Sequence, residues 1–151
     1  MNTRAAVEAL VDFFEHLRPE SLGAFADYYA ADACFKDPFN EVRGLPAIER
    51  IFAHLFRQVD EPRFIVGERL VDGQAALLVW ELRFRAKGSR GPGAPQCIRG
   101  ASHLRFADDG KVLWHRDYWD AAEELYARLP LLGWLMRLLQ RKLSASGTAA
   151  E

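Results

Sequence analysis

Apolar residues recur at spacings of three and four between Ala5 and Leu17, where Val7, Leu10, Val11, Phe14 and Leu17 make one stripe and predict an amphipathic helix. Arg18-Pro19 ends it. Pro19 suits the start of a second, short helix, with Leu22, Phe25 and Tyr29 on one face and a stop near Ala31. Ala33 to Phe39 reads as a short strand entering a turn, because a residue before proline, here Asp37, is biased away from helical backbone angles. A third helix starts at Pro46 after Gly44, with Ile48, Ile51, Phe52 and Leu55 as its apolar face.

From Pro62 the apolar period changes to two. Arg63 to Val71 and Gln74 to Lys87 flank Asp72-Gly73, a dipeptide suited to a tight hairpin turn. A Gly- and Pro-rich loop, Gly88 to Pro95, leads to a strand from Gln96 to Phe106, and Asp109-Gly110 turns it into another from Lys111 to Asp120. These four strands predict a meander. Alternation places Trp80, Leu82 and Phe84 on the face opposite Glu81, Arg83 and Arg85, and Gly100, Ser102, Leu104 and Phe106 opposite Arg99, Ala101, His103 and Arg105. The apolar sets face the helices. In the last strand His115, Asp117 and Trp119 oppose Trp114, Arg116 and Tyr118, and hydropathy leaves the inward set open. Ala121 to Arg128 reads as a helix ended by Pro130, Leu131 to Leu143 as a leucine-rich amphipathic helix, and 144–151 as a frayed tail. The expected fold class is α+β, with N-terminal helices on a curved antiparallel sheet and an extra C-terminal amphipathic helix, in one domain over residues 1–143.

A chain of 151 residues is long enough for one sizeable core, and a net charge of -1 with scattered Lys and Arg supplies no field for a phosphate backbone. Nucleic acid is not an expected partner. No leader pattern and no long apolar run is read, and two cysteines, Cys34 and Cys97, in strand-like surroundings suit buried reduced thiols, so a cytoplasmic location is expected. His16, His54, His103 and His115 lack ligand spacing, and neither metal nor cofactor is expected. The helix at Leu131 to Leu143 carries more apolar surface than one solvated face needs. It could cap a pocket, pack across a dimer or lie on a membrane, with protein packing ranked first.

The segment from Tyr28 to Phe56, YYAADACFKDPFNEVRGLPAIERIFAHLF, and the closing strand DGKVLWHRDYWD, Asp109 to Asp120, resemble the ketosteroid isomerase and SnoaL-like branch of the nuclear transport factor 2-like superfamily. The resemblance covers roughly residues 5 to 122 and implies a cone-shaped half-barrel around a pocket for a small apolar molecule, and a homodimer. It matches Asp37 to a general base in an Asp-Pro-Phe turn, and Tyr29 to a supporting network tyrosine. It puts Phe13, Ser102 and Phe52 where isomerases carry polar network residues. The last strand is similar to that of limonene epoxide hydrolase-like members, which matches Asp117 to a catalytic acid and turns His115 and Trp119 inward with it. Glu81 and Arg83 stand on the strand where such hydrolases orient water. The implied site has Asp37, Asp117 and His115 as catalytic residues. Phe13, Tyr29, Phe52, Phe56, Trp80, Leu82, Ser102, Leu104 and Trp119 are placed around the substrate. The implied chemistry is proton transfer, as in isomerisation, cyclisation or dehydration; a non-catalytic binding or assembly module and an epoxide hydrolase-like enzyme are the alternatives.

Overall fold

The computed structural model describes residues 2–88, 91–124 and 130–143. The chain divides into two compact units, Met1–Tyr118 and Trp119–Glu151. The first opens with α1, Thr3–Glu15, whose free N-terminal amides are partly satisfied by the Asn2 side chain accepting from Ala5. Its stripe is buried as the spacing predicts, at Val7, Leu10, Val11 and Phe14, and Phe13 is buried beside it.

After α1 the expected second helix is shorter and tighter than its apolar face suggested. A 3₁₀ segment, Pro19–Ala24, runs into a single turn α2, Phe25–Tyr28, and strand β1, Tyr29–Lys36, begins at once. Tyr29, assigned by its spacing to a helical face, is the first residue of β1 and is fully buried there. A three-residue strand β2, Glu41–Arg43, pairs back on β1, and Gly44 at φ 94 turns the chain into α3, Leu45–Gln58.

The remaining strands are β3, Val59–Asp72, β4, Ala75–Gly88, β5, Gly91–Phe106, and β6, Val112–Tyr118. Their antiparallel meander is extended by β1, which lies parallel to β6, so the sheet order is β2-β1-β6-β5-β4-β3. Asp72 pairs with Ala75, which makes Gly73 and Gln74 the turn residues, with Gly73 at φ 57. The Gly- and Pro-rich stretch expected as a loop pairs into the sheet on both sides of residues 89–90, which lie outside the described residues: Lys87 meets Pro92 and Gly88 meets Gly91. The inward faces follow the alternation, with Trp80 and Leu82 buried on β4 and Ser102, Leu104 and Phe106 on β5.

In the second unit Asp120 Oδ1 accepts from the amides of Ala122 and Glu123 and caps α4, Ala121–Glu124. The rest of the helix expected up to Arg128, and the tail 144–151, lie outside the described residues. Helix α5, Pro130–Leu143, exposes Trp134, Leu135, Leu138 and Leu139. No helix among the described residues is long and apolar enough to cross a membrane.

Candidate functional site

Between the helices and the concave face of the sheet, the first unit holds a partly open hollow of about 30 Å³. That is room for a water molecule or two. Helix α1 supplies Leu10, Val11 and Phe14, and α3 supplies Phe52. Strands β3 and β4 add Phe64, Val66, Leu78 and Trp80. The rings brace one another, Phe14 lying 5.5 Å from Phe52 and 5.7 Å from Phe64, and Phe64 edge-on to Trp80 at 5.9 Å. Leu104 completes the apolar wall, and the polar lining consists of Ser102, His115 and Asp117.

Those polar groups form one chain of hydrogen bonds whose direction is fixed by chemistry. The Trp80 indole can only donate, and it donates to Ser102 Oγ at 2.8 Å. The single Ser102 proton then goes to Asp117 Oδ1, 2.5 Å away. His115 Nε2 lies 2.7 Å from the same oxygen and 3.2 Å from Ser102 Oγ. With Asp117 ionised, Nε2 carries the proton and donates, which leaves Nδ1 to accept from the Tyr29 hydroxyl at 2.6 Å. Every donor therefore points towards Asp117 Oδ1. Burial, and then the negative charge of Asp117, hold the Tyr29 hydroxyl well above its ordinary ionisation range, so it stays a donor. The second Asp117 oxygen has no hydrogen bond among the described residues, and no Lys or Arg lines the hollow.

The structure thus brings together Asp117, His115, Ser102, Trp80, Leu104 and Phe52, with Tyr29 one bond behind the wall. Asp37 stands elsewhere. Lys36 pairs with Arg116, so Asp37 follows at the same end of the sheet as Asp117, but it does not line the hollow. Its Oδ1 accepts from the amides of Phe39 and Asn40, and both carboxylate oxygens accept from the Asn40 side chain. Its observed work is to close its own turn. Phe13 faces away, stacked on Tyr28 at 4.4 Å, because one helical step from Phe14 turns it by about 100°. Phe56 lies in the last turn of α3 with its carbonyl accepting from Lys87, and Leu82 lies one inward step beyond Trp80, outside the lining. Trp119 opens the second unit. Glu81 and Arg83 bind each other at 2.8 Å and do not line the hollow.

Leu10, Val11, Phe14, Phe64, Val66 and Leu78 line the hollow without having been singled out as site residues. The signal for three of them was present, since the α1 stripe already grouped Leu10, Val11 and Phe14.

Residues 10–115 match the family model of the SnoaL-like domain. No curated protein matches the chain at a significant level. Among solved structures, the fold is similar to an NTF2-like protein of unknown function from Burkholderia pseudomallei K96243, with TM-score 0.68 at 18% identity over 82% of this chain and 94% of that one. It is also similar to a hypothetical protein of ketosteroid isomerase-like fold from Catenulispora acidiphila DSM 44928 in complex with trimethylamine, with TM-score 0.67 at 19% identity over 83% and 93%. A third is TerC co-crystallised with polyporic acid, with TM-score 0.66 at 15% identity over 80% and 93%.

Proposed function

Because the chain belongs to the SnoaL-like domain family, we propose that its hollow receives a small, largely apolar molecule and that Asp117 takes a proton from it, in an isomerisation, cyclisation or dehydration. The observation that carries this reading is the free second oxygen of Asp117 in a largely apolar hollow whose other polar groups all donate towards its partner oxygen. An acceptor held by two donors on one oxygen keeps the other aimed and free to take a proton, which is what a positioned base needs. His115 and Tyr29 orient that base, and Ser102 and Trp80 hold it from the other side. The proton leaves a carbon next to a carbonyl, the electron pair moves to the carbonyl oxygen, and Asp117 returns the proton at a second position. Asp37 serves as a turn residue at the same end of the sheet in this reading. Two relatives in fold were crystallised with small organic molecules, which agrees with a ligand-binding role.

The experiment is solvent proton exchange: compact cyclic enones in D₂O, followed by NMR for deuterium at the carbon beside the carbonyl. The wild-type chain is expected to speed exchange, and Asp117→Asn to lower that rate by at least about 100-fold. An equal rate in Asp117→Asn removes the base. The fold relatives crystallised with small organic molecules also suit a second reading, binding without turnover: a ligand would then shift the thermal midpoint of wild type while no enone exchanged.

A further inference from the structure

The side chains around the hollow have no proton left to offer a guest. The Trp80 indole proton goes to Ser102, the Ser102 hydroxyl proton to Asp117 Oδ1, and the one ring proton of His115 to the same oxygen. Tyr29 gives its hydroxyl proton to His115 Nδ1, so the imidazole is neutral and adds no positive charge. With every donor committed, the polar atom that faces the space is an acceptor, the second oxygen of Asp117.

The charge is as one-sided as the hydrogen bonding. The Asp117 side chain is only 16% exposed, and among the described residues neither Lys nor Arg lines the hollow with it. Arg116, next to it on β6, takes the opposite face of the sheet, where its guanidinium lies 4.5 Å over the Tyr118 ring. A carboxylate so far from water is ordinarily paired with a cation or hydrogen-bonded on both oxygens, whereas this one has its donors on one oxygen only. The rest of the lining suits a positive guest. Phe14, Phe52, Phe64 and Trp80 bring four aromatic rings to the same space, and the π electrons of such rings attract a small organic cation. The room, about 30 Å³, matches a guest of about two heavy atoms. We infer that the hollow is a site for a small primary ammonium group, whose N–H donates to the free Asp117 oxygen and whose carbon lies among the rings. The inference rests on the reading above for the hollow receiving a small molecule and for Asp117 being ionised, and adds the charge of the ligand; it does not need the proton transfer.

Titration of the full chain with methylammonium chloride at neutral pH tests it, with NMR following the Trp80 indole N–H, which is bonded to Ser102 and through it to Asp117. So few heavy atoms supply millimolar affinity at best, and a saturable shift in that range is expected. Methanol, of the same size and with a donor but no charge, is expected to bind at least about tenfold more weakly. Tetramethylammonium, charged but larger and without an N–H, is expected to bind at least about tenfold more weakly as well. Sodium chloride at equal ionic strength should leave the resonance in place, because screening alone is not binding. Asp117→Asn should lose the preference for methylammonium over methanol, and the wild-type series decides the matter even where that variant fails to fold. Methanol or tetramethylammonium as tight as methylammonium, the same shift from sodium chloride, no saturable shift, or a preference that survives in Asp117→Asn each overturns the inference. The function proposed above fails separately. Absence of enone exchange leaves methylammonium binding as expected, whereas exchange that runs undiminished at saturating methylammonium overturns the inference and not the function.

Discussion

Tyr29 is wholly buried and gives its hydroxyl proton to His115, so its ionisation is tied to folding. Burial, reinforced by the charge of Asp117, raises its ionisation well above 10.0 in the folded chain, whereas the unfolded chain releases the proton near the ordinary value. An acid shifted in this direction contributes stability that is complete below about pH 10 and is lost as pH climbs towards the folded value, with a slope of about 1.4 kcal/mol per pH unit. Tyr29→Phe removes that slope and also leaves His115 Nδ1 without its donor, at a cost of about 1–3 kcal/mol at neutral pH. Urea unfolding of both proteins from about pH 8 to 11 should therefore show their stability difference narrowing as pH rises. A difference that stayed constant or widened would contradict the buried, neutral phenol. Of the residues that line the hollow, those legible in the sequence were the ones whose face was decided by alternation or by the family resemblance: Trp80, Ser102 and Leu104 by the former, His115 and Asp117 by the latter. Asp37 shows the limit of that reasoning, because a matched motif cannot reveal that three backbone and side-chain donors within three residues occupy its carboxylate.

At the scale of elements, the pairing of β4 with β5 sets Trp80 opposite Gly100 on the face that turns towards the hollow. A Cβ at position 100 would meet two Trp80 ring carbons at 2.6 Å. The glycine is thus the floor on which the indole lies flat enough to reach Ser102 at 2.8 Å. Gly100→Ala should push the ring off that floor, destabilise the fold by about 1–3 kcal/mol in urea, and alter the near-ultraviolet circular dichroism of the tryptophans. Unchanged stability together with an unchanged spectrum would show that the ring does not rest there. Period-two alternation predicted both strand faces here, and Gly100 was correctly placed inward, yet its reason was invisible because it lies in a cross-strand neighbour twenty residues away. The same limit explains β2. Three residues, Glu41–Arg43, are too few for any period, and only pairing with β1 makes them a strand. Gly88 to Pro95 was misread in the opposite sense, since glycine and proline mark loops locally but are tolerated where a long hairpin ends.

Across the first unit, protection from solvent follows sheet order more than sequence order. Strands β6 and β5 lie in the interior of the sheet, bracketed by β1 and β4, and Leu104 and Val112 are completely buried there. Strand β3 is the outer edge, and from Gly67 to Leu70 it is exposed, Leu70 at 58%. The parallel pairing of β1 with β6 is what makes β6 interior: without that crossover, which no local pattern announces, β6 would have been the edge of a four-stranded meander. An interior strand opens only when its neighbours on both sides let go, while an edge strand can open alone. Native-state hydrogen exchange should then find the amides of Leu104 and His115 among the slowest, opening with nearly the full unfolding free energy, and those of Glu68 to Leu70 orders of magnitude faster. The slow set includes the strands that carry Ser102, His115 and Asp117, and the fast set continues from the segment that carries Phe64. In the reading proposed above, Asp117 is thus carried on the strands that open last, across the hollow from the more yielding segment. Equal protection of β3 and β6 would contradict that difference, because no edge motion would then be cheaper than unfolding the sheet.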